Sequence, residues 1–248
     1  MDQAPRSEFI GRLAHAISSV TATHPLRVAV DGPPASGKTT LADELAAVLG
    51  AQDRDVIRAT IDDFLVPRAR RYRRGRYSAE GCYFDAHDHA ALCRVLLDPL
   101  GPDGDRMFRP AVLDGDTDTP SSAPATTAPA DAVLLFDGVF LLRPELVDRW
   151  DLRIFVSVPY ELTVERAKNR GTALAGPTRD TADPARTTNT TTARTAEIER
   201  SWRNRYIPAQ QLYFAMAHPT DHADIIVYND QLERPTWDVR PRSPIHRI

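Results

Sequence analysis

Lysine is nearly absent from this 248-residue chain: of 31 basic residues only Lys38 and Lys168 are lysine, which leaves 29 arginines. Cysteine is as scarce. Cys82 and Cys93 match no metal or redox spacing and make a poor disulfide framework, so both are expected as small apolar core residues of a reduced protein. No apolar run approaches ~18 residues, and Met1 to Arg6 lack the apolar stretch of a signal peptide. The expectation is a soluble, cytoplasmic protein. A surplus of positive charge is missing too, since the formal net charge is −3, which argues against general affinity for nucleic acid or an anionic membrane.

What the chain does have is a phosphate cradle. Gly32-Pro33-Pro34-Ala35-Ser36-Gly37-Lys38-Thr39 fits G-x-x-x-x-G-K-[ST], with Thr40 directly after it. A β-rich run, Leu26 to Asp31, precedes it, and Leu41, Leu45, Val48 and Leu49 follow at helical spacing. Gly32 and Gly37 let the backbone curl so that N–H groups point at phosphate oxygens, and the helix N-terminus adds its positive end. Lys38 is a compact charge on a long stem, able to reach the β- and γ-phosphates where a planar guanidinium fits poorly. The Thr39 hydroxyl is placed to ligate Mg²⁺ of bound ATP.

Two further strands end in carboxylates. Ala132 to Phe136 is almost wholly apolar, as in a strand buried on both faces of a parallel sheet, and it ends in Asp137-Gly138. Asp137 is the candidate to help hold Mg²⁺ beside the loop. Asp55 to Ile61 ends in Asp62-Asp63-Phe64, and Asp62 is the candidate base that orients and deprotonates an acceptor hydroxyl. No Asn-Lys-x-Asp signature supports a Ras-like GTPase, and no internal repeat supports a motor or transporter ATPase. The remaining class is a small-molecule kinase: α/β, an open, mainly parallel sheet flanked by helices.

The order of these stations, with Tyr83-Phe84-Asp85-Ala86-His87-Asp88, Arg166-Ala167-Lys168-Asn169-Arg170 and a final strand at Ala223 to Val227, resembles the uridine kinase and phosphoribulokinase group, and uridine kinase most closely. The resemblance covers about residues 26–230. It implies Asp62 as the base, Phe84 and Asp85 lining the acceptor pocket with Asp85 on the ribose, and Mg²⁺ on Thr39 and Asp137. The chain departs from the group in Asp137, where Glu is usual, and in Gly171, where Asp usually follows the lid arginine. Pyrimidine contacts are not legible in Met107 to Ala111.

Arg166 and Arg170 lie four apart on one candidate helix and would bring positive charge to the transferring phosphate, with Arg205 from a second helix joining them. A lid is expected over about residues 166–205, with flexible inserts at about 116–131 and 171–194 where large apolar residues are few. Core strands flank both inserts, so one domain is expected over residues 1–248. His87, His89, Asp85 and Asp88 form a polar knot suited to a structural or pocket role rather than zinc. Six arginines crowd Arg68 to Arg76. They read as a solvated loop or as a site for a phosphate already on the acceptor. Three functions stay open: 5′-phosphorylation of a pyrimidine ribonucleoside by ATP, phosphorylation of a sugar phosphate or other metabolite, and ATP-dependent regulation with little chemistry. A homo-oligomer is compatible with any of them.

Overall fold

The computed structural model describes residues 5–115, 117–173 and 184–240. The middle of the expected lid insert, 174–183, lies outside the described residues, as do position 116 and positions 241–248. In chain order the elements begin with α1 (Arg6–Ser18), β1 (Leu26–Asp31), α2 (Lys38–Gly50) and β2 (Val56–Thr60). Three short helices follow: α3 (Arg68–Arg71), α4 (Ala79–Phe84) and α5 (His89–Leu92). β3 (Met107–Phe108) to β6 form two small ribbons, in which β4 (Leu113–Asp114) pairs with β5 (Thr119–Pro120) and β3 with β6 (Thr126–Thr127). β7 (Val133–Gly138), β8 (Leu152–Ser157), α6 (Tyr160–Ala173) and α7 (Pro184–Ser201) come next. The chain closes with α8 (Ile207–Ala217), α9 (Pro219–His222), β9 (Ile225–Tyr228) and β10 (Thr236–Val239).

One six-stranded sheet, in the order β10-β9-β8-β1-β7-β2, organises the molecule. Every pairing is parallel except that of β10 with β9. The mainly apolar runs of β1 and β7 are the mark of strands covered on both faces, and all six residues of each are buried, Arg27 and Asp31 of β1 included. Side chains alternate across the sheet. Val28, Val30, Val133 and Leu135 pack toward α1 and α2, against Leu13, Ile17, Leu41 and Leu45. Ala29, Leu134 and Phe136 point the other way, to a core shared with Leu96, Trp150 and Tyr213.

The parallel register sets the ends of the strands side by side. Val30 of β1 and Thr60 of β2 both lie across from Asp137 of β7, so the three chain segments that leave the sheet there start from one edge. Gly138 makes the approach possible, because a Cβ on it would stand 2.6 Å from Cβ of Ile61.

The two inserts expected between core strands carry secondary structure where they are described. The insert expected at 171–194 is helical wherever it is described, since α6 runs to Ala173 and α7 begins at Pro184. Thr and Ala-rich segments such as this pack poorly alone, and what continues α7 is a π-turn at Trp202–Tyr206 that joins it to α8. Within the insert expected at about 116–131, β5 and β6 pair with β4 and β3, although both strands stay exposed. The sequence reading contains neither α1 nor β10.

Leu45 sits fully buried where α2 meets the sheet. Leu45→Ala is expected to lower the unfolding free energy by ~2–5 kcal/mol. The measurement is the urea midpoint at unchanged slope; a loss below ~1 kcal/mol would show that α2 is not held by this packing.

Candidate functional site

The loop between β1 and α2 is shaped by two glycines that tolerate no side chain. Gly37, the N-cap of α2, has φ +91°, and a Cβ there would meet Asn229 Nδ2 at 2.6 Å. At Gly32 a Cβ would meet the Val156 carbonyl oxygen at the same 2.6 Å. Asn229, just beyond β9, donates from Nδ2 to the Ser36 carbonyl at 2.7 Å and so fixes the loop from the outside. The Ser36 N–H donates to the Pro33 carbonyl, and Lys38 Nζ lies 3.4 Å from that same oxygen. Thr40 is exposed in the first turn of α2.

Pro34, Ala35, Lys38 and Thr39 form one side of a cavity of about 470 Å³. Asp62, Asp137, Arg170 and Arg205 line it as well, so the structure gathers these sequence-predicted residues around one space. Asp62 stands in the short turn Ile61–Phe64 that follows β2; Ile61 and Phe64 are buried anchors on either side, which turns Asp62 toward the cavity. Burial pushes the Asp62 carboxyl up, and the neighbouring Lys38 ammonium opposes that. Burial likewise pushes Lys38 down, against Asp137, Asp62 and Asp31, which hold its proton.

Asp137 uses both carboxylate oxygens. Thr39 Oγ1 donates to Oδ2 at 2.6 Å, and Arg58 Nη2 donates to Oδ1 at 2.9 Å. A hydroxyl and a carboxylate in contact beside a phosphate cradle are hard oxygen donors, the set that Mg²⁺ takes along with phosphate oxygens and water. These residues therefore fit the metal. Arg58, which also pairs with Asp43, was not singled out in the sequence because a strand-centre arginine has no motif.

Behind the cradle lies Asp31, fully buried. Its Oδ1 accepts the Gly32 N–H at 2.7 Å, and its Oδ2 accepts the Tyr213 hydroxyl at 2.5 Å and the Leu142 N–H at 3.3 Å. The Leu142 N–H is shared, donating also to the Tyr213 hydroxyl oxygen at 2.8 Å. Desolvation outweighs these three donors and carries the Asp31 pKa up to about 6.

Phe84, Asp85 and Arg166 are not brought to the cavity. Phe84 is exposed, and Asp85 accepts from Arg74 Nε at 2.6 Å in a separate cleft with Arg70 and Arg73. Phe84, the sixth and last residue of α4, turns outward, whereas Tyr83 packs inward on Phe140 and Tyr213. Ala86 and His87 of this stretch do line the cavity, and His87 is buried and held neutral with its pKa down to about 3. Arg166 donates to the carbonyls of Ser36, Asn229 and Asp230, bracing the cradle from an outer cleft. Arg205 lines the cavity, but its guanidinium is also held by the Arg76 carbonyl at 3.0 Å. Within the arginine run, Arg71, Arg74 and Arg76 pair with Asp118, Asp85 and Glu197, which accounts for three of the six.

The Asp31 carboxyl binds its proton more tightly folded than unfolded, so its contribution to stability is full below about pH 4 and fades as pH rises to about 6. Asp31→Asn removes that titration. The variant is expected to gain on wild type by up to roughly 3 kcal/mol between those pH values, read by urea unfolding at each pH. A difference that does not change with pH would refute the shift.

Among the described residues no helix is long and apolar enough to cross a membrane. No curated protein sequence matches the chain. In structure it is similar to a protein described as a possible uridine kinase from Bacillus stearothermophilus, with a TM-score of 0.65 and 23% identity over 88% of this chain and 97% of that one. It is similar also to D-glycerate 3-kinase from Cryptococcus neoformans, with a TM-score of 0.56 and 12% identity over 95% and 98% of the two chains. At these identities the likeness shows the fold of P-loop kinases. The model of the cytidylate kinase-like family matches residues 27–231, from β1 through the turn after β9. With a phosphate cradle, a lysine and two carboxylates around one cavity inside that span, the chain belongs to the cytidylate kinase-like family and is an ATP-dependent P-loop kinase.

Proposed function

We propose that the protein transfers the γ-phosphoryl group of ATP to the 5′-hydroxyl of a pyrimidine ribonucleoside. The observation that carries this reading is that Asp62 and Lys38, close enough for their charges to interact, line one cavity whose wall also includes Phe140, Trp202 and Tyr206. Gly32 to Thr40 would hold the phosphates, with Lys38 on the β- and γ-oxygens. The ATP base would take the outer cleft of Leu162, Arg166, Asn169 and Leu232, which lies against the far side of the cradle. That assignment moves Arg166 from the acceptor to the ATP side.

Thr39 and Asp137 would hold Mg²⁺, which when bound neutralises charge on the β- and γ-phosphates. For Asp137 to serve, its hydrogen bond with Thr39 must open, while Arg58 keeps the carboxylate in place from behind. Arg170 lies near enough to Lys38 for the two charges to repel, so it is placed to meet the same phosphoryl oxygens. As the acceptor oxygen forms its bond to phosphorus, its proton passes to Asp62 and the bond to ADP breaks. A carboxylate with a raised pKa is the better base for that step.

Within the kinase class the wall chemistry separates a neutral acceptor from a phosphorylated one. Phe140, Trp202 and Tyr206 offer faces to a planar base, and His87 carries no charge. Arg71 and Arg205 also border the space, but backbone carbonyls of Val66 and Arg76 already hold them.

ADP release from Mg·ATP is expected with uridine or cytidine and not with ribulose 5-phosphate or glycerate. A response only to the phosphorylated sugar would overturn the nucleoside reading in favour of the second acceptor class. Asp62→Asn is expected to keep ATP affinity and lose ~10²–10⁴-fold in kcat. Full turnover in this variant would remove Asp62 from the mechanism.

A further inference from the structure

Gln210 sits in the wall of the cavity that holds Asp62 and Lys38. It is 1% exposed, and among the described residues neither Nε2 nor Oε1 has a hydrogen-bond partner. An unpaired buried amide is expensive, because each unmade hydrogen bond forfeits the hydration that group had in the unfolded chain. A structural role would supply a partner from the fold. None of the neighbours on its helix does so: Ala209 is apolar, and the Tyr213 hydroxyl is taken by Asp31 and Leu142.

The helix itself is fixed. Tyr213, one turn beyond Gln210, is tied through Asp31 to the first residue of the cradle, so the face that carries Gln210 keeps its place relative to the phosphates. His87, in the same cavity, has an orphaned Nδ1. Two residues with unpaired polar atoms therefore line a cavity that has Phe140, Trp202 and Tyr206 in its wall beside the charged groups already described.

A primary amide offers a donor and an acceptor side by side. Its complement is a planar group with the same two functions adjacent, such as a ring N–H beside C=O or a ring nitrogen beside an amino group. Turning the amide over serves either order, so one glutamine can take both a uracil-type and a cytosine-type edge. Flat aromatic neighbours suit the same planar ligand.

We infer that Gln210 is a specificity-determining residue that reads the donor–acceptor edge of the acceptor's base. The inference rests on the nucleoside-kinase reading above. It also accounts for an amide kept unpaired at the expense of stability, as sites built to hydrogen-bond one substrate commonly are.

The experiment compares wild type with Gln210→Leu, using uridine, cytidine and ATP as varied substrates and thermal unfolding as the second readout. In the variant, KM for uridine and for cytidine is expected to rise ~10- to 100-fold. KM for ATP should be unchanged, and the melting temperature should hold or rise, because the apolar side chain leaves nothing unpaired. If the leucine variant does not fold, Gln210→Met, unbranched and of similar length, is read in its place. A wild type active on nucleosides with unchanged KM in the variant sinks this inference alone. So does a fall in melting temperature without a change in KM, which marks a structural amide. A wild type silent on both nucleosides sinks the underlying reading, and this inference with it.

Discussion

The carboxylate of Asp31 joins the two halves of the site. It ends β1, where the parallel register has already set the tips of β1, β2 and β7 together, and it binds the first N–H of the phosphate cradle. Through Tyr213 and Leu142 it also holds α8 and the segment after β7. A charge in that position is poorly solvated, and three hydrogen-bond donors recover only part of the loss. The arrangement persists because β1 and the neighbouring β7 are buried along their whole length and Asp31 itself has no exposed surface.

Around that point the site divides by chemistry. On one side are backbone, Lys38, Thr39 and Asp137, suited to phosphate and a hard cation; on the other are aromatic rings, a neutral His87 and Gln210. Asp62 stands between them in a turn too short to wander, pinned by Ile61 and Phe64. Arg58 belongs to the first group although it touches no part of the cradle, because it fixes one oxygen of Asp137 and leaves the other to Thr39.

The cradle and the two strand-end carboxylates are legible in the sequence because each is a local pattern: apolar run, turn, functional residue. A parallel sheet then does the rest by bringing strand ends to a common edge. The acceptor side is less legible. That Phe84 and Asp85 turn away while His87 lines the cavity depends on where a six-residue helix ends, and a shift of a few residues exchanges outside for inside. Arg166 lies on the helix expected for it, but its long side chain reaches the Asn229 and Asp230 carbonyls 63 and 64 residues on, which no local spacing encodes. Asp31 sits next to the motif and still carries no signal, since its partner Tyr213 is 182 residues away. Gln210 has no signal at all, for a glutamine in a helix is ordinarily solvated.

The π-turn between α7 and α8 has a consequence for phase. Ile198, Trp202, Tyr206 and Gln210 are spaced by fours and all border the cavity. In an uninterrupted α-helix twelve residues over-rotate by about 120°, which would carry Gln210 well round the rod from Ile198. The wider π-turn absorbs about one residue and cuts that drift to roughly 20°. A single extra residue of winding thus aligns one long face along the cavity, so that α7 and α8 line it as parts of the same screw.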